Sequence, residues 1–168
     1  MLPVLWITCA AAVVTAAVRS RRDPAAVELG RRAVALLYLG AGAGVNAFML
    51  LRGDDYAKFA DGAYLGFVRH TWRSVVVPHH AAWIGLLIAF ELAVGLLALM
   101  GGWRTRLAYG AAIAFHVALL SFGWGFYLWS LPMIAATAAL LRAELHLAPR
   151  VRSATAAAQL DSAEASVP

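Results

Sequence analysis

Residues 83–102 read WIGLLIAFELAVGLLALMGG, twenty positions that are apolar throughout except for one acid, Glu91, at the middle. A run of about 20 apolar residues is the length that crosses a bilayer core as a helix. A charge-bearing side chain at its centre costs on the order of 2.5–3.5 kcal/mol on insertion scales. The fold and the function both turn on what surrounds that acid.

The stretch is typical of its chain. Of 168 residues, 62% are hydrophobic and 14% charged, and the mean hydropathy is +0.73. Soluble domains are nearer half apolar and a quarter charged, so lipid must be the solvent for much of this surface. The net charge of +5 does not point to nucleic acid, because the arginines stand at the ends of apolar runs, where they act as topology signals. Cys9 is the single cysteine; it cannot form an internal disulfide, and the redox compartment is unreadable from it.

Working outward, five segments are expected to be membrane helices: residues 2–18, 33–51, 81–101, 103–121 and 126–142. The apolar run 103–141 would be about 58 Å long as one helix, so it must fold back, and SFGWGF at 121–126 supplies the turn. The first segment has no basic start before Arg19 and no evident cleavage site, which favours a retained helix over a signal peptide. The expected fold class is therefore all-α: a polytopic transmembrane helical bundle. Its parts are an extra N-terminal helix (1–18), a membrane domain (19–146) and an Ala/Ser-rich tail (147–168) without ordered structure. Ten of the fourteen Lys and Arg residues fall in the 19–32 loop, the 104–106 loop and the tail, which predicts the N-terminus outside and the C-terminus in the cytoplasm. Between the second and third spans, Tyr56, Phe59, Ala60, Ala63, Tyr64, Phe67, Thr71 and Val75 recur at helical spacing, as in an amphipathic helix on the membrane surface. Pro78 should end that helix and restart the chain as the third span.

The polar residues within the spans carry the functional reading. Surroundings poor in water favour an uncharged acid unless a cation lies beside it, and His116 sits at a depth similar to that of Glu91. Asn46 lies near the outer end of the second span. His80 and Glu91 are eleven residues apart, three helical turns, and so share a face, with His80 at the mouth of a cavity and Glu91 at its floor. Tyr109 continues the line of His116 inward. Trp124, Tyr127 and Trp129 stand near the outer turn, as an aromatic belt or as cavity residues. Each admits a plainer reading: Glu91 as a clamp between helices, His116 bridged to a carbonyl, Asn46 as interhelical glue. Gly40 and Gly44 make a small-xxx-small step for close helix approach. Nucleotide-binding, hydrolase and zinc-protease signatures and CxxC are absent from the sequence, and adjacent His79 and His80 point apart and do not converge with Glu91 on a metal.

The segment FELAVGLLALMGGWRTRLA resembles the signature region of the DoxX-like membrane proteins, in which a helix with an acid and a following glycine (here Glu91 and Gly95) ends in a Gly-Gly turn with a basic pair (Gly101, Gly102, Arg104, Arg106). The likeness covers about residues 30–142 and implies a four-helix bundle, to which this chain adds the N-terminal helix. Some such proteins are associated with quinone-linked sulfur oxidation or redox-protective complexes. The resulting expectation is an accessory redox protein of the bacterial cytoplasmic membrane. Glu91 and His116 would exchange protons with a quinone-like ring; Asn46, His80, Trp124 and Tyr127 would form its binding site. Electrons would come from a partner redox protein. The rival expectation is a scaffold that docks a partner protein or a second copy and holds no ligand.

Overall fold

The computed structural model describes the backbone of residues 2–164 and the side chains of residues 4–146. No β-strand occurs among the described residues, and the helical bundle expected from the hydropathy is what forms. Its elements are α1 (Leu2–Arg19), α2 (Pro24–Leu51), α3 (Gly66–Leu99), α4 (Gly102–Leu119, extended by a 3₁₀ turn to Phe122) and α5 (Trp124–Glu164). Four runs, Pro24–Leu51, Gly66–Leu99, Gly102–Phe122 and Trp124–His146, are long and apolar enough to cross a membrane. Within their hydrophobic windows only 28–39% of residues are buried. Leu86, Leu96, Leu107, Val117 and Leu128 are among the apolar side chains more than half exposed. An apolar exterior on this scale is stable only against acyl chains, and the chain is a multi-pass helical membrane protein.

α1 is shorter, but it packs as a full member of the bundle. Cys9, Val13, Ala16 and Ala17 are buried in the common core with Val34, Val94, Tyr109, Met133 and Leu140. At one end Trp6 meets Trp129, with ring centroids 5.5 Å apart; at the other, Ser20 lies beside α5 residues Ala139 and Arg142. α1 thus runs beside α5 from Trp129 to Arg142.

Three elements differ from the sequence reading. α2 begins nine residues before the expected start at 33, because Asp23 caps it: its side chain accepts a hydrogen bond from the Ala25 amide, and Pro24 follows at the first helical position, where a missing N–H costs nothing. The expected amphipathic helix over 56–75 does not form as one element. Residues 52–65 make successive turns, set by Asp54 and Asp55, which accept from the amides of Tyr56 and Ala57. Aspartate side chains mimic a backbone turn in this way and compete with helix; the helix-like spacing of Tyr56, Phe59, Ala60 and Ala63 reflects turns of three residues. From Gly66 the chain is helical without a break to Leu99, and Pro78 does not divide it. The π turn at Trp72–Val76 and the 3₁₀ turn at Val77–His79 accommodate the amide that proline lacks.

Beyond His146, α5 continues as helix to Glu164, where the tail was expected to lack structure. Its backbone follows the high helix propensity of the Ala-rich segment; residues 165–168 of that tail lie outside the described residues.

The turns at the two ends are built differently. Gly101 and Gly102 have φ of 74° and 63°, a conformation that side-chain-bearing residues rarely adopt, and the Thr105 hydroxyl accepts from the Gly101 amide at 2.9 Å while reaching the Ala98 carbonyl at 3.0 Å. At the opposite end, Gly123 (φ 113°) lies so close to the 52–65 loop that a Cβ there would stand 2.1 Å from the Gly62 carbonyl oxygen.

Candidate functional site

A cavity of about 90 Å³ opens in the half of the bundle that faces the 52–65 loop, with Trp6, Tyr38, Asn46, Glu91, Phe115, His116 and Trp129 on its walls. Four helices, α1 to α4, and the start of α5 supply these side chains, so the site exists only in the folded bundle. Glu91 is 4% and His116 2% exposed. The acid in the middle of WIGLLIAFELAVGLLALMGG therefore faces protein and not lipid.

The local geometry of α2 makes this possible. Residues Leu37–Gly44 form a π-helical stretch, a wider turn that is frequent at functional sites. It brings Gly42 against the acid: a Cβ on Gly42 would lie 2.7 Å from Glu91 Oε1 and 2.8 Å from its Cδ. On α3, a Cβ on Gly95 would lie 2.5 Å from Leu39 Cγ. Close approach of α2 and α3 thus depends on Gly42 and Gly95. The expected step of Gly40 and Gly44 does not make it, since their missing Cβ atoms would meet only atoms of α2 itself. The 3.6-residue register that selected those two positions does not hold through a π turn.

Glu91 has a polar companion, but it is Asn46 and not the expected His116. The Asn46 side-chain amide donates to Glu91 Oε2 at 2.9 Å. That contact is the last link of a chain. The Trp72 indole donates to the Tyr56 carbonyl at 2.9 Å, and the Tyr56 hydroxyl donates to the Asn46 carbonyl at 3.0 Å. Tyr56 holds a left-handed backbone, φ 56°, the only such non-glycine among the described residues. Burial first, then the neighbouring Asp54 and Glu91, push its phenol above the usual range, which keeps it a donor. A strained residue held on both sides in this manner indicates a loop whose position is fixed by its surroundings.

His116 lines the same cavity, with both ring nitrogens buried and without a hydrogen-bond partner, and the Tyr38 hydroxyl is in the same state. Tyr38 and Phe115 flank the imidazole at 6.4 and 5.8 Å between centroids, and Trp129 lies at 6.4 Å. Buried polar atoms are nearly always paired. The two residues that carry these three unpaired atoms line one cavity with a buried acid, which makes a place that a polar ring or water can complete.

Of the sequence-predicted site residues, Glu91, His116 and Asn46 come together. His80 does not line the cavity; its Nδ1 lies 3.0 Å from the Val77 carbonyl oxygen at the start of the last α-helical segment of α3. Trp124 is 67% exposed, and Tyr127 packs between it and Tyr64, at 6.1 and 6.0 Å, away from the cavity. Phe59 of the 52–65 loop lines the cavity instead; it stacks on Trp72 at 4.9 Å and meets Phe122 and Phe126 at 5.1 and 5.3 Å. Sequence reasoning did not select Tyr38, Trp6 or Phe115. No polar signal marks Trp6 or Phe115, whereas Tyr38, a hydroxyl within an apolar run, was detectable on the same ground as Asn46.

A second buried acid is also absent from the sequence reading. Glu144 on α5 is 2% exposed and takes a forked contact from Arg31 of α2, through Nε and through Nη2 at 2.9 Å, while Arg31 Nη1 reaches Glu28 at 3.1 Å. A span ending at 142 placed Glu144 among the headgroups; the helix runs past it. Among the described residues no group of His, Cys, Asp and Glu could hold a metal ion.

Comparison of the chain with protein-family models, with curated proteins and with solved structures found no match.

Proposed function

We propose that the cavity binds one quinone-like ring and that the chain is an accessory redox component of the bacterial cytoplasmic membrane, with its N-terminus outside, in the manner of the DoxX-like proteins its 90–108 segment resembles. The observation that carries this reading is that His116 and Tyr38, whose ring nitrogens and hydroxyl are buried without partners, line the same aromatic-walled cavity as Glu91. A volume of about 90 Å³ is several times the roughly 10–15 Å³ that one water needs, and suits a single small ring with two polar edges. Four aromatic side chains, those of Trp6, Tyr38, Phe115 and Trp129, give such a ring apolar faces to lie against.

A bound quinone supplies two-electron, two-proton redox chemistry, with the electrons delivered by a partner redox protein. The contribution of this chain is positioning and proton handling. Asn46 fixes the Glu91 carboxyl from one side, leaving its other oxygen for the cavity. Glu91 and His116 hold and pass protons on opposite walls, a role suited to a carboxyl and an imidazole held apart in a site of low water content. The Tyr38 hydroxyl donates a hydrogen bond that orients a carbonyl oxygen.

Quenching of Trp6 and Trp129 fluorescence by a short-chain benzoquinone, titrated into purified protein, tests the reading. Saturable quenching is expected, weakened about tenfold or more in Glu91→Gln, since a hydrogen bond to a charge or proton donor is worth on the order of 1.5–3 kcal/mol. Equal affinity in the two proteins, or no binding to either, sinks it.

A further inference from the structure

At the end of the bundle opposite the cavity, a groove of about 490 Å³ opens between the α1–α2 turn and α5. Its polar lining consists of Ser20, Arg21, Arg22, Asp23, Arg142 and His146, over an apolar floor that includes Val27 and Ala139. We infer that this groove is a binding site for a phosphate-bearing anion, which the headgroup of an anionic phospholipid supplies.

The charge inventory supports this. The neighbouring basic residues Arg31 and Arg32 have carboxylates of their own, Glu28 and Glu144. Among the described residues no acidic group lies within salt-bridge distance of Arg21, Arg22 or Arg142. Three arginines from two separate elements therefore line one concave space with a single carboxylate, Asp23, whose Oδ1 already accepts from the Ala25 amide at 2.9 Å. Guanidinium forks match phosphate oxygens in pairs, and Ser20, whose hydroxyl now donates to the Ala17 carbonyl at 2.8 Å, is a further donor at the rim.

The position selects the lipid over a soluble anion. The groove lies where the apolar runs end: Val18, two residues before Ser20, is 69% exposed, and Leu145, beside His146, is 48% exposed. Trp103 at the same end is 66% exposed and carries the Arg104 guanidinium 5.6 Å from its ring centroid, the pairing expected at a membrane interface. A ligand with phosphate in the groove and acyl chains along the neighbouring apolar surface satisfies both halves. Basic pockets between membrane helices bind anionic headgroups on this principle.

The test uses the full chain in nanodiscs of phosphatidylcholine doped with phosphatidylglycerol, with native mass spectrometry reading the lipid retained. Wild type should retain phosphatidylglycerol over phosphatidylcholine, and Arg21→Gln, Arg22→Gln and Arg142→Gln should each lower that preference about fivefold. The triple variant R19Q/R32Q/R104Q removes three times the charge of any one of them from the same end but leaves the groove intact, and should keep the preference. A melting curve establishes that each variant is folded. If lipid shows no preference but inorganic phosphate binds with the same dependence on the three arginines, the site stands and its anion is soluble. Equal loss in the groove and control variants would reduce the effect to surface charge, and that result, or no arginine-dependent binding of either probe, overturns the inference.

Discussion

Two acids are buried in this bundle, at opposite ends, and they are completed in opposite ways. Glu144 is met by the fork of Arg31 and belongs to a closed ionic set with Glu28. Glu91 has one amide, from Asn46, and beyond it a cavity whose imidazole and phenol have no partners. Burial is nearly the same, 2% and 4% exposed, so burial alone does not separate a structural acid from a functional one. The partner does. A carboxylate matched by a cation has no bonding left to offer, whereas an acid beside unpartnered groups is poised to take a guest.

The comparison can be broken most easily at Glu144. Glu144→Ala leaves the Arg31 guanidinium, 23% exposed, with Glu28 alone, and should destabilise the protein by about 3 kcal/mol, the low end for a broken buried pair. Denaturant titration in mild detergent measures it, and adding Arg31→Ala should cost less than the two losses summed. Gly42→Ala comes next. Its Cβ meets the Glu91 carboxyl, which must move, at a cost of about 1–3 kcal/mol together with loss of quinone quenching. Glu91→Gln should change stability by less than about 1 kcal/mol, because its amide oxygen still accepts from Asn46; a loss as large as that of Glu144→Ala would make Glu91 a structural clamp and erase the contrast. Arg73→Gln, which breaks the exposed pair with Asp61, should lie within about 0.5 kcal/mol of wild type and sets the floor of the scale.

The sequence carried much of this. Apolar run lengths gave the bundle and the order of its helices, and the rule that an intramembrane acid turns inward brought Glu91, Asn46 and His116 to one place. Where it failed, the causes are local. The π turn at Leu37–Gly44 and the one before Pro78 break the 3.6-residue register, so neither Gly42 nor the unbroken length of α3 follows from periodicity. Asp54 and Asp55 turn the outer loop by side-chain hydrogen bonds that hydropathy does not register, and the loop then lines the cavity with Phe59 in place of His80 and Trp124. Glu144 went unnoticed because the last span was ended at 142, two residues before it, whereas the helix continues to Glu164.

The central claim is that the space beside Glu91 is a binding site for a redox-active ring. Photocross-linking of a photoreactive quinone to the protein in bilayers, mapped by peptide mass spectrometry, tests it most directly. The account predicts label on the peptides carrying Phe115, His116 and Trp129, displaced by unlabelled quinone. Label spread over the outward-facing Leu86, Leu96 and Met100, and indifferent to competitor, would contradict it.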